Sequence, residues 1–113
     1  MGLYSSKQAG LTSSKGTQTT VDVSTITATP SVISANDDNS GLSIINTSDV
    51  DLYILVGDSA TAISLSNLTV ILPAYSGTGG NLIYETPFGY SGQVQILASA
   101  VGTGSVIVTE FKY

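Results

Sequence analysis

Residues 93–111 read QVQILASAVGTGSVIVTEF, and this stretch carries the clearest structural signal in the chain. Val94 and Ile96 alternate with glutamines, which is the two-residue period of a strand with one buried face. The stretch then turns at Gly102-Thr103-Gly104, where glycine permits a tight reversal. We therefore predict a strand at 93–98, a hairpin loop at the glycines and a further strand at 106–111.

The second of these strands has two distinct sides. Val106 and Val108 share one face, whereas Ile107, Thr109 and Phe111 share the opposite face.

The same pattern continues toward the N-terminus. Short runs rich in β-branched and aromatic residues alternate with turns rich in Asn, Asp and Gly. The predicted strands are residues 21–27, 32–35, 42–46, 52–56, 68–72, 82–85, 93–98 and 106–111. About eight short strands predict an all-β protein with one antiparallel β-sandwich, jelly-roll-like in its connections. A hairpin loop is also predicted over the glycines Gly77, Gly79 and Gly80.

Two runs are apolar on both sides. Leu52–Val56 is predicted to be a central strand covered on both faces, and Val70–Leu72, which precedes Pro73, is interpreted in the same way. Residues 58–67 have room for one helical turn, although Ser, Thr and Asn dominate there.

Residues 1–20 differ from the rest of the chain. They are rich in Ser, Thr, Gly, Lys and Gln and show no helical or strand period. We predict an extended N-terminal arm at 1–20, ordered by a partner, and a sandwich domain at 21–113. The arm carries two lysines and no acid, for a charge of +2, whereas the remainder carries one lysine and eight acids, for a charge of −7. Such an arm either docks onto an acidic partner surface or is a solvated tail.

The residues expected to contact a partner lie at the two ends of the chain. Isolated aromatic and apolar residues at termini are costly on a lone monomer, and the arm lysines supply charge. The predicted partner-contact residues are Leu3, Tyr4, Lys7, Leu11, Lys15 and Tyr113.

The composition narrows the function classes. The chain has 113 residues, of which 42% are hydrophobic and only 10% charged, so it is globular with a weakly charged surface. A net charge of −5 argues against nucleic-acid binding. There is no Cys and no His, which excludes disulfides, thiolate chemistry and imidazole metal ligands. No stretch approaches the apolar length that a membrane span requires.

Carboxylates are the only candidate catalytic groups. They are Asp22, Asp37, Asp38, Asp49, Asp51, Asp58, Glu85 and Glu110. Glu85 and Glu110 both lie near predicted strand ends, where a glycosidase pair is conceivable. With no Trp to form a sugar platform, we interpret the acids as solvated turn and edge charges and predict no catalytic site, no cofactor and no enzymatic activity.

Two acidic loops raise the question of a calcium site. Residues 36–41 and the pair Asp49 and Asp51 offer oxygen ligands, but the EF-hand pattern is not met. Asx-rich turns also form for local hydrogen-bonding reasons. We predict no metal site, and whether these loops hold an ion stays open at this stage.

Several short motifs match by chance more readily than by function. Gly2 to Ser6 fits the myristoylation pattern, and Asn46 and Asn67 each begin a glycosylation acceptor pattern, although no signal peptide precedes them. The tyrosines Tyr53, Tyr75, Tyr84 and Tyr90 are candidates for a binding face.

Three segments, in order, resemble a known group of proteins. They are INTSD at 45–49 followed by LYILVG at 52–57, YETPFGYSG at 84–92, and VTEF at 108–111. Together they resemble small structural proteins from tailed-bacteriophage gene clusters, over roughly residues 42–111. The chain departs from that group by having Gln95-Ile96-Leu97 where a Trp is often found, and by a longer loop over residues 73–81.

The resemblance implies a virion protein and no enzyme. The leading expectation is a capsid decoration, or cement, protein on the outer capsid surface, made in the host cytoplasm. Its partners would be the major capsid protein and further copies of itself, with a homotrimer expected first. Alternatives are a head–tail or tail adaptor or fibre base, and, from a different class, a carbohydrate-binding module. No nucleic acid, membrane or small-molecule substrate is expected.

Overall fold

The computed structural model describes residues 15–58, 61–75 and 83–112. These residues form eight strands and one 3-10 turn. The elements are β1 (Lys15–Asp22), the 3-10 turn (Val23–Thr25), β2 (Ser31–Ile33), β3 (Asn39–Asn46), β4 (Leu52–Val56), β5 (Val70–Leu72), β6 (Ile83–Glu85), β7 (Val94–Ala98) and β8 (Ser105–Lys112).

The strands pair into two four-stranded antiparallel sheets that pack face to face. The first sheet has the order β1-β8-β3-β6 and the second has the order β2-β7-β4-β5. This is the strand order of a jelly roll, in which two Greek keys fold over each other. The predicted all-β sandwich with jelly-roll-like connections is therefore confirmed.

The connections between strands mostly cross from one sheet to the other. Among the eight strands, only β4 and β5 are consecutive neighbours within a sheet, and residues 57–69 join them. The predicted hairpin at Gly102-Thr103-Gly104 is wrong, because β7 lies in the second sheet and β8 in the first. The glycines Gly77 to Gly80, over which a further hairpin loop is predicted, lie outside the described residues. The described strands on either side of them, β5 and β6, lie in different sheets.

The core lies between the two sheets and is built by alternate residues. Val94 and Ile96 are fully buried, as are Val106 and Leu52, in keeping with the predicted alternation. Each such side chain contributes about 1.5–3 kcal/mol when it is withdrawn from water. The buried cluster consists of Val23, Ile26, Leu42, Ile44, Leu52, Ile54, Leu72, Val94, Ile96, Ala98, Val106 and Val108.

The two sheets are also joined by a buried polar group. Asn46 ends β3 and is fully buried. Its side-chain Nδ2 donates to the carbonyl oxygens of Val50, Leu72 and Pro73 at 2.9, 3.2 and 2.8 Å. Its Oδ1 accepts hydrogen bonds from the backbone N–H and the hydroxyl of Ser48. Asn46 therefore fastens the turn after β3 to the end of β5 in the other sheet, and its amide is not accessible as a glycosylation acceptor in the folded protein.

The first strand begins earlier than the sequence indicated. Residues 15–20 of the predicted arm belong to β1, which pairs with β8 from Lys15 opposite Lys112 to Asp22 opposite Ser105. No strand pattern is visible in this part of the sequence, because residues 16–20 are all exposed and none has a strongly apolar side chain. The remainder of the predicted arm, residues 1–14, lies outside the described residues.

Two other local predictions need correction. The predicted strand at 21–27 is interrupted by the 3-10 turn, because Asp22 caps that turn by accepting the N–H of Ser24 at 2.9 Å. The helical turn considered for 58–67 is absent from the described part, residues 61–67, where Ser64 and Asn67 instead form an isolated bridge. The strand Val70–Leu72 is an edge strand with Ile71 on its exposed side, so it is not covered on both faces as predicted.

Candidate interaction surface

The longest free sheet edge in the described structure belongs to β1. Strand β1 pairs with β8 along eight residues on one side, and no described strand pairs with its other side. The edge strands β2, β5 and β6 have only three residues each. From Gly16 to Val21, β1 has no charge and no proline, which are the usual devices that keep an edge from pairing. Strand β1 therefore presents a backbone ladder that can accept a further strand.

A groove opens between this edge and β2. We call it the edge groove; its volume is about 330 Å³. One wall is formed by Thr19, Val21, Val108 and Glu110 of the first sheet, and the other by residues 31–36. Val21 and Ile33 pack against the core but are only partly buried. In the edge groove, these two partly buried side chains connect the apolar core with the surface.

A polar cluster surrounds Glu110, which lines the edge groove. The Lys112 ammonium donates to Asn39 Oδ1 at 2.7 Å, and Asn39 Nδ2 donates to Glu110 Oε1 at 3.2 Å. Lys112 Nζ lies 3.7 Å from the same Glu110 oxygen. Asn39 is buried at the centre of this cluster, whereas the two charged side chains stay about one-fifth exposed. Glu110 Oε2 has no partner among the described residues, so one carboxylate oxygen remains available in the groove wall.

The outward face of the first sheet carries an apolar row. Ile107 of β8, Ile45 of β3 and Ile83 of β6 are register partners across three strands. The first two are half-buried, and Ile83 is 46% exposed. Phe111 lies farther along the same face and is 43% exposed. The solvent-facing side of an antiparallel sheet is usually polar, so this row is a candidate contact surface.

The outward face of the second sheet carries a matching row. Leu97 of β7, Tyr53 of β4 and Ile71 of β5 are register partners, and Ile71 is 41% exposed. Val32 of β2 lies on the same face and is half-exposed. Both outer faces of the sandwich therefore combine apolar rows with very few charges.

The two carboxylates considered as a glycosidase pair, Glu85 and Glu110, do not come together. Glu85 is the partner of Ser43 and faces outward, whereas Glu110 is the partner of the buried Leu42 and faces the interior side. The two carboxylates thus lie on opposite faces of one sheet. Among the described residues there is no group of three acids that could hold a metal ion.

Three of the acids in connecting segments instead bind backbone N–H groups. Asp49 accepts from Thr103 at 2.8 Å and Asp51 accepts from Ala74 at 2.9 Å. Asp22 accepts from Ser24, and these hydrogen bonds to the backbone N–H and hydroxyl of Ser24 lower the pKa of the Asp22 carboxyl below its ordinary value. The Asp22 hydrogen bond is the local kind that turns form, whereas Asp49 and Asp51 join segments that are distant along the chain.

The four candidate tyrosines do not form one face. Tyr53 lies on the outer side of the second sheet, and Tyr75 lies in the segment after β5, half-exposed. Tyr84 and Tyr90 pack against the core from the first sheet and the β6–β7 connection. Burial raises the pKa of Tyr90 above its ordinary value, and the negative charge of Asp58 adds to this effect. The Tyr90 hydroxyl donates to the carbonyl oxygen of Gln93 at 2.7 Å.

Most of the predicted partner-contact residues fall outside the described structure. Leu3, Tyr4, Lys7, Leu11 and Tyr113 are not among the described residues. The backbone of Lys15 begins β1 opposite Lys112, and its side chain is outside the description. The sequence pointed to no residue of the edge groove as a contact, because its walls come from strands that are distant along the chain.

Comparisons with protein-family models, with curated proteins and with solved structures find no match to this chain. In the described residues, no helix has the length and apolar character needed to cross a membrane.

Proposed function

We propose that the chain is a non-enzymatic structural protein of a tailed-phage virion, and that it acts as a capsid decoration protein. In this role it binds capsomers on the outer capsid surface and associates with its own copies. The proposal joins the resemblance of residues 42–111 to small phage structural proteins with the surface of the jelly roll.

The observation that carries the proposal is the pair of apolar rows on the two outer faces. A decoration protein contacts both the shell and neighbouring copies, and it therefore needs more than one adhesive surface. Ile83 and Ile71 lie on opposite outer faces of the same rigid body. With charged residues at only 10% of the chain, little charge has to be desolvated when such faces pack.

An enzymatic function finds less support in the same residues. Glu85 and Glu110 lie on opposite sheet faces, and Asp49 and Asp51 bind backbone N–H groups. A carbohydrate-binding module built on a tyrosine face finds less support as well, because Tyr53 and Tyr84 belong to different sheets and Tyr84 packs against the core.

The test is a binding assay with purified, undecorated particles. We expect the wild-type chain to saturate the outer surface with hundreds of copies per particle, counted by cryo-electron microscopy. Ile71→Glu and Ile83→Glu each place a charge in one outer row and should reduce occupancy. Val101→Glu is the matched control, because Val101 is 81% exposed and lies in the β7–β8 connection, outside both rows.

Copy number and position separate the remaining alternatives. A dozen or fewer copies confined to one vertex or to the tail would replace decoration by the adaptor function. Absence of the chain from every particle would overturn both, and glycan binding would then be the next function to test.

A further inference from the structure

We propose that the edge groove is the docking site for residues 1–14 of a second copy of this chain, which add a strand to the free edge of β1. We call residues 1–14 the N-terminal segment. The biological role of this docking rests on the proposed function, since a segment that one copy lends to the next would link neighbouring decoration proteins. The docking itself is a property of the isolated protein.

The receiving side has both elements that strand addition needs. The free edge of β1 supplies backbone donors and acceptors, and the adjacent groove supplies space for alternate side chains of the added strand. In β1, Thr17, Thr19 and Val21 face the groove side, because they are the partners of Glu110, Val108 and Val106. An added strand would therefore place every second side chain against this row.

The spacing of the N-terminal segment fits that row. In an extended chain, Leu3, Lys7 and Leu11 point to the same side because they are four residues apart. Thr17 and Val21 of β1 are also four residues apart. When Lys7 lies beside Thr17, a leucine lies beside Val21 in either strand direction: Leu3 if the added strand is antiparallel, and Leu11 if it is parallel.

The charges fit in the same alignment. Glu110 is the one ionisable residue among those that line the groove, and its Oε2 has no partner in the described part of the chain. Lys112 neutralises part of this charge through Oε1. Lys7 is the only charged residue of the N-terminal segment. With Lys7 beside Thr17, its backbone lies two strands, about 10 Å, from Glu110, a distance that the two long side chains can bridge together.

A second copy is a better donor of the segment than the chain itself. The segment joins β1 at Lys15, which lies at the Glu110 end of the strand, opposite Lys112. From there the chain would have to reverse direction before it could return to the edge that it has just left. A neighbouring copy can lay the segment along β1 in one direction without a reversal.

The chain contains no cysteine, so cysteines introduced in pairs can test the docking by disulfide cross-linking of the whole 113-residue chain. Thr19 lies midway between Thr17 and Val21, so its neighbour in the docked segment is Ser5 or Ala9, depending on direction. We would mix the single-cysteine variant Thr19→Cys with Ser5→Cys, and separately with Ala9→Cys, oxidise each mixture and quantify heterodimers by intact mass spectrometry. One of the two mixtures should give a heterodimer yield at least about tenfold above the control.

The control is Thr20→Cys mixed with the same partners. Thr20 is adjacent to Thr19 and equally exposed, but it points to the other face of the sheet. All these positions are exposed or outside the described body, and the thermal unfolding of each variant checks that it folds.

Removing one charge from one partner at a time then tests the alignment of Lys7 with Thr17. Glu110→Gln in the Thr19→Cys partner should lower heterodimer formation about two- to fivefold, as for a partly exposed ion pair. The same Glu110→Gln change in the Ser5→Cys or Ala9→Cys partner should have no effect. That copy provides the N-terminal segment, and its own edge groove takes no part in the cross-link. Lys7→Gln should lower heterodimer formation when it is placed in the Ser5→Cys or Ala9→Cys partner and should have no effect in the Thr19→Cys partner.

The outcomes are distinct. Heterodimer yields equal to those of the Thr20→Cys control in both mixtures would overturn the proposal. An intramolecular disulfide in the double variant T19C/S5C, without heterodimers in the mixture, would assign the groove to the chain's own segment and also overturn it. Cross-linking in solution with particles left bare would instead contradict the decoration function and leave this inference standing.

Discussion

The side-chain amide of Asn46 donates to the carbonyl oxygen of Pro73 at 2.8 Å, across the interface between the two sheets. The same amide reaches the carbonyl of Leu72, and the amide oxygen holds Ser48. A single buried side chain therefore satisfies polar backbone groups on both sides of this interface.

We predict that Asn46→Ala lowers the free energy of unfolding by about 2–4 kcal/mol, because it leaves several buried groups unsatisfied at once. Asn67→Ala is the control, since Asn67 binds the Thr61 and Ala62 carbonyls in an exposed loop and should cost about 1 kcal/mol. Urea unfolding measures both. Equal losses of unfolding free energy in the two variants would contradict the role of Asn46 in joining the two sheets.

A pair of glycines isolates the effect of close packing. Gly104 and Gly57 have nearly the same φ, +113° and +114°, so alanine is strained at both positions. A Cβ on Gly104 would meet Ser48 Cα at 2.7 Å, whereas a Cβ on Gly57 would meet nothing within 4 Å. We expect Gly104→Ala to be less stable than Gly57→Ala by about 1–3 kcal/mol. Similar unfolding midpoints would show that the backbone absorbs the added methyl.

The hydroxyl of Tyr90 predicts a change of stability in alkali. Tyr90→Phe keeps the ring but loses the hydrogen bond to the Gln93 carbonyl, so near neutral pH we expect a loss of about 1 kcal/mol. Because the pKa of Tyr90 is raised in the folded protein, the hydroxyl's contribution is complete below the ordinary tyrosine pKa of about 10 and is lost as the pH rises through the higher folded value. The wild type and Tyr90→Phe should therefore converge in strong alkali. A constant difference in their unfolding midpoints would contradict this.

For Asp22 we expect the opposite pH dependence, in which stability is lost in acid. Its pKa is lowered in the folded protein, so its contribution is present above the ordinary aspartate pKa and is lost as the pH falls through the depressed value. Asp22→Ala should have a lower melting temperature than the wild type at neutral pH, and the two should converge in acid. Asp37→Ala is the control, because the carboxylate of Asp37 accepts no hydrogen bond from the described residues, and this change should leave the melting temperature at neutral pH nearly unchanged.

Two truncations test where the sandwich begins. Removing residues 1–14 should leave the unfolding midpoint close to that of the full chain, because β1 starts at Lys15. Removing residues 1–20 deletes most of β1 and uncovers the edge of β8 beside Val106 and Val108, so we expect a clear loss of stability. Equal stability of the two truncated chains would restore residue 20 as the boundary of the arm.

The sequence predicted those strands whose side chains alternate or are uniformly apolar. Leu52–Val56 agrees with β4 residue for residue, and the two faces of β8 are as expected. Residues 16–20 gave no signal, because a polar edge strand is held by its ladder to β8 rather than by side-chain burial. The run after Asp22 looked like a strand because valine and threonine favour strands, but the Asp22 cap turns the chain instead.

The sheet to which each strand belongs could not be derived from local turns. Gly102 and Gly104 have the composition of a hairpin, yet they carry the chain across the sandwich and pack against Asp49 and Ser48. The edge groove was missed for the same reason, since Val21 and Ile33 become neighbours of Val108 only after both sheets have formed.

The pairing of β1 with β8 has a consequence for the order of events during synthesis. Strand β1 is the first described strand to leave the ribosome, and its partner is the last. No part of the first sheet can close around β1 until nearly all described residues have been translated. Because such distant pairings require the closure of long chain segments, we expect slow folding dominated by a late step, during which the nascent β1 waits unpaired.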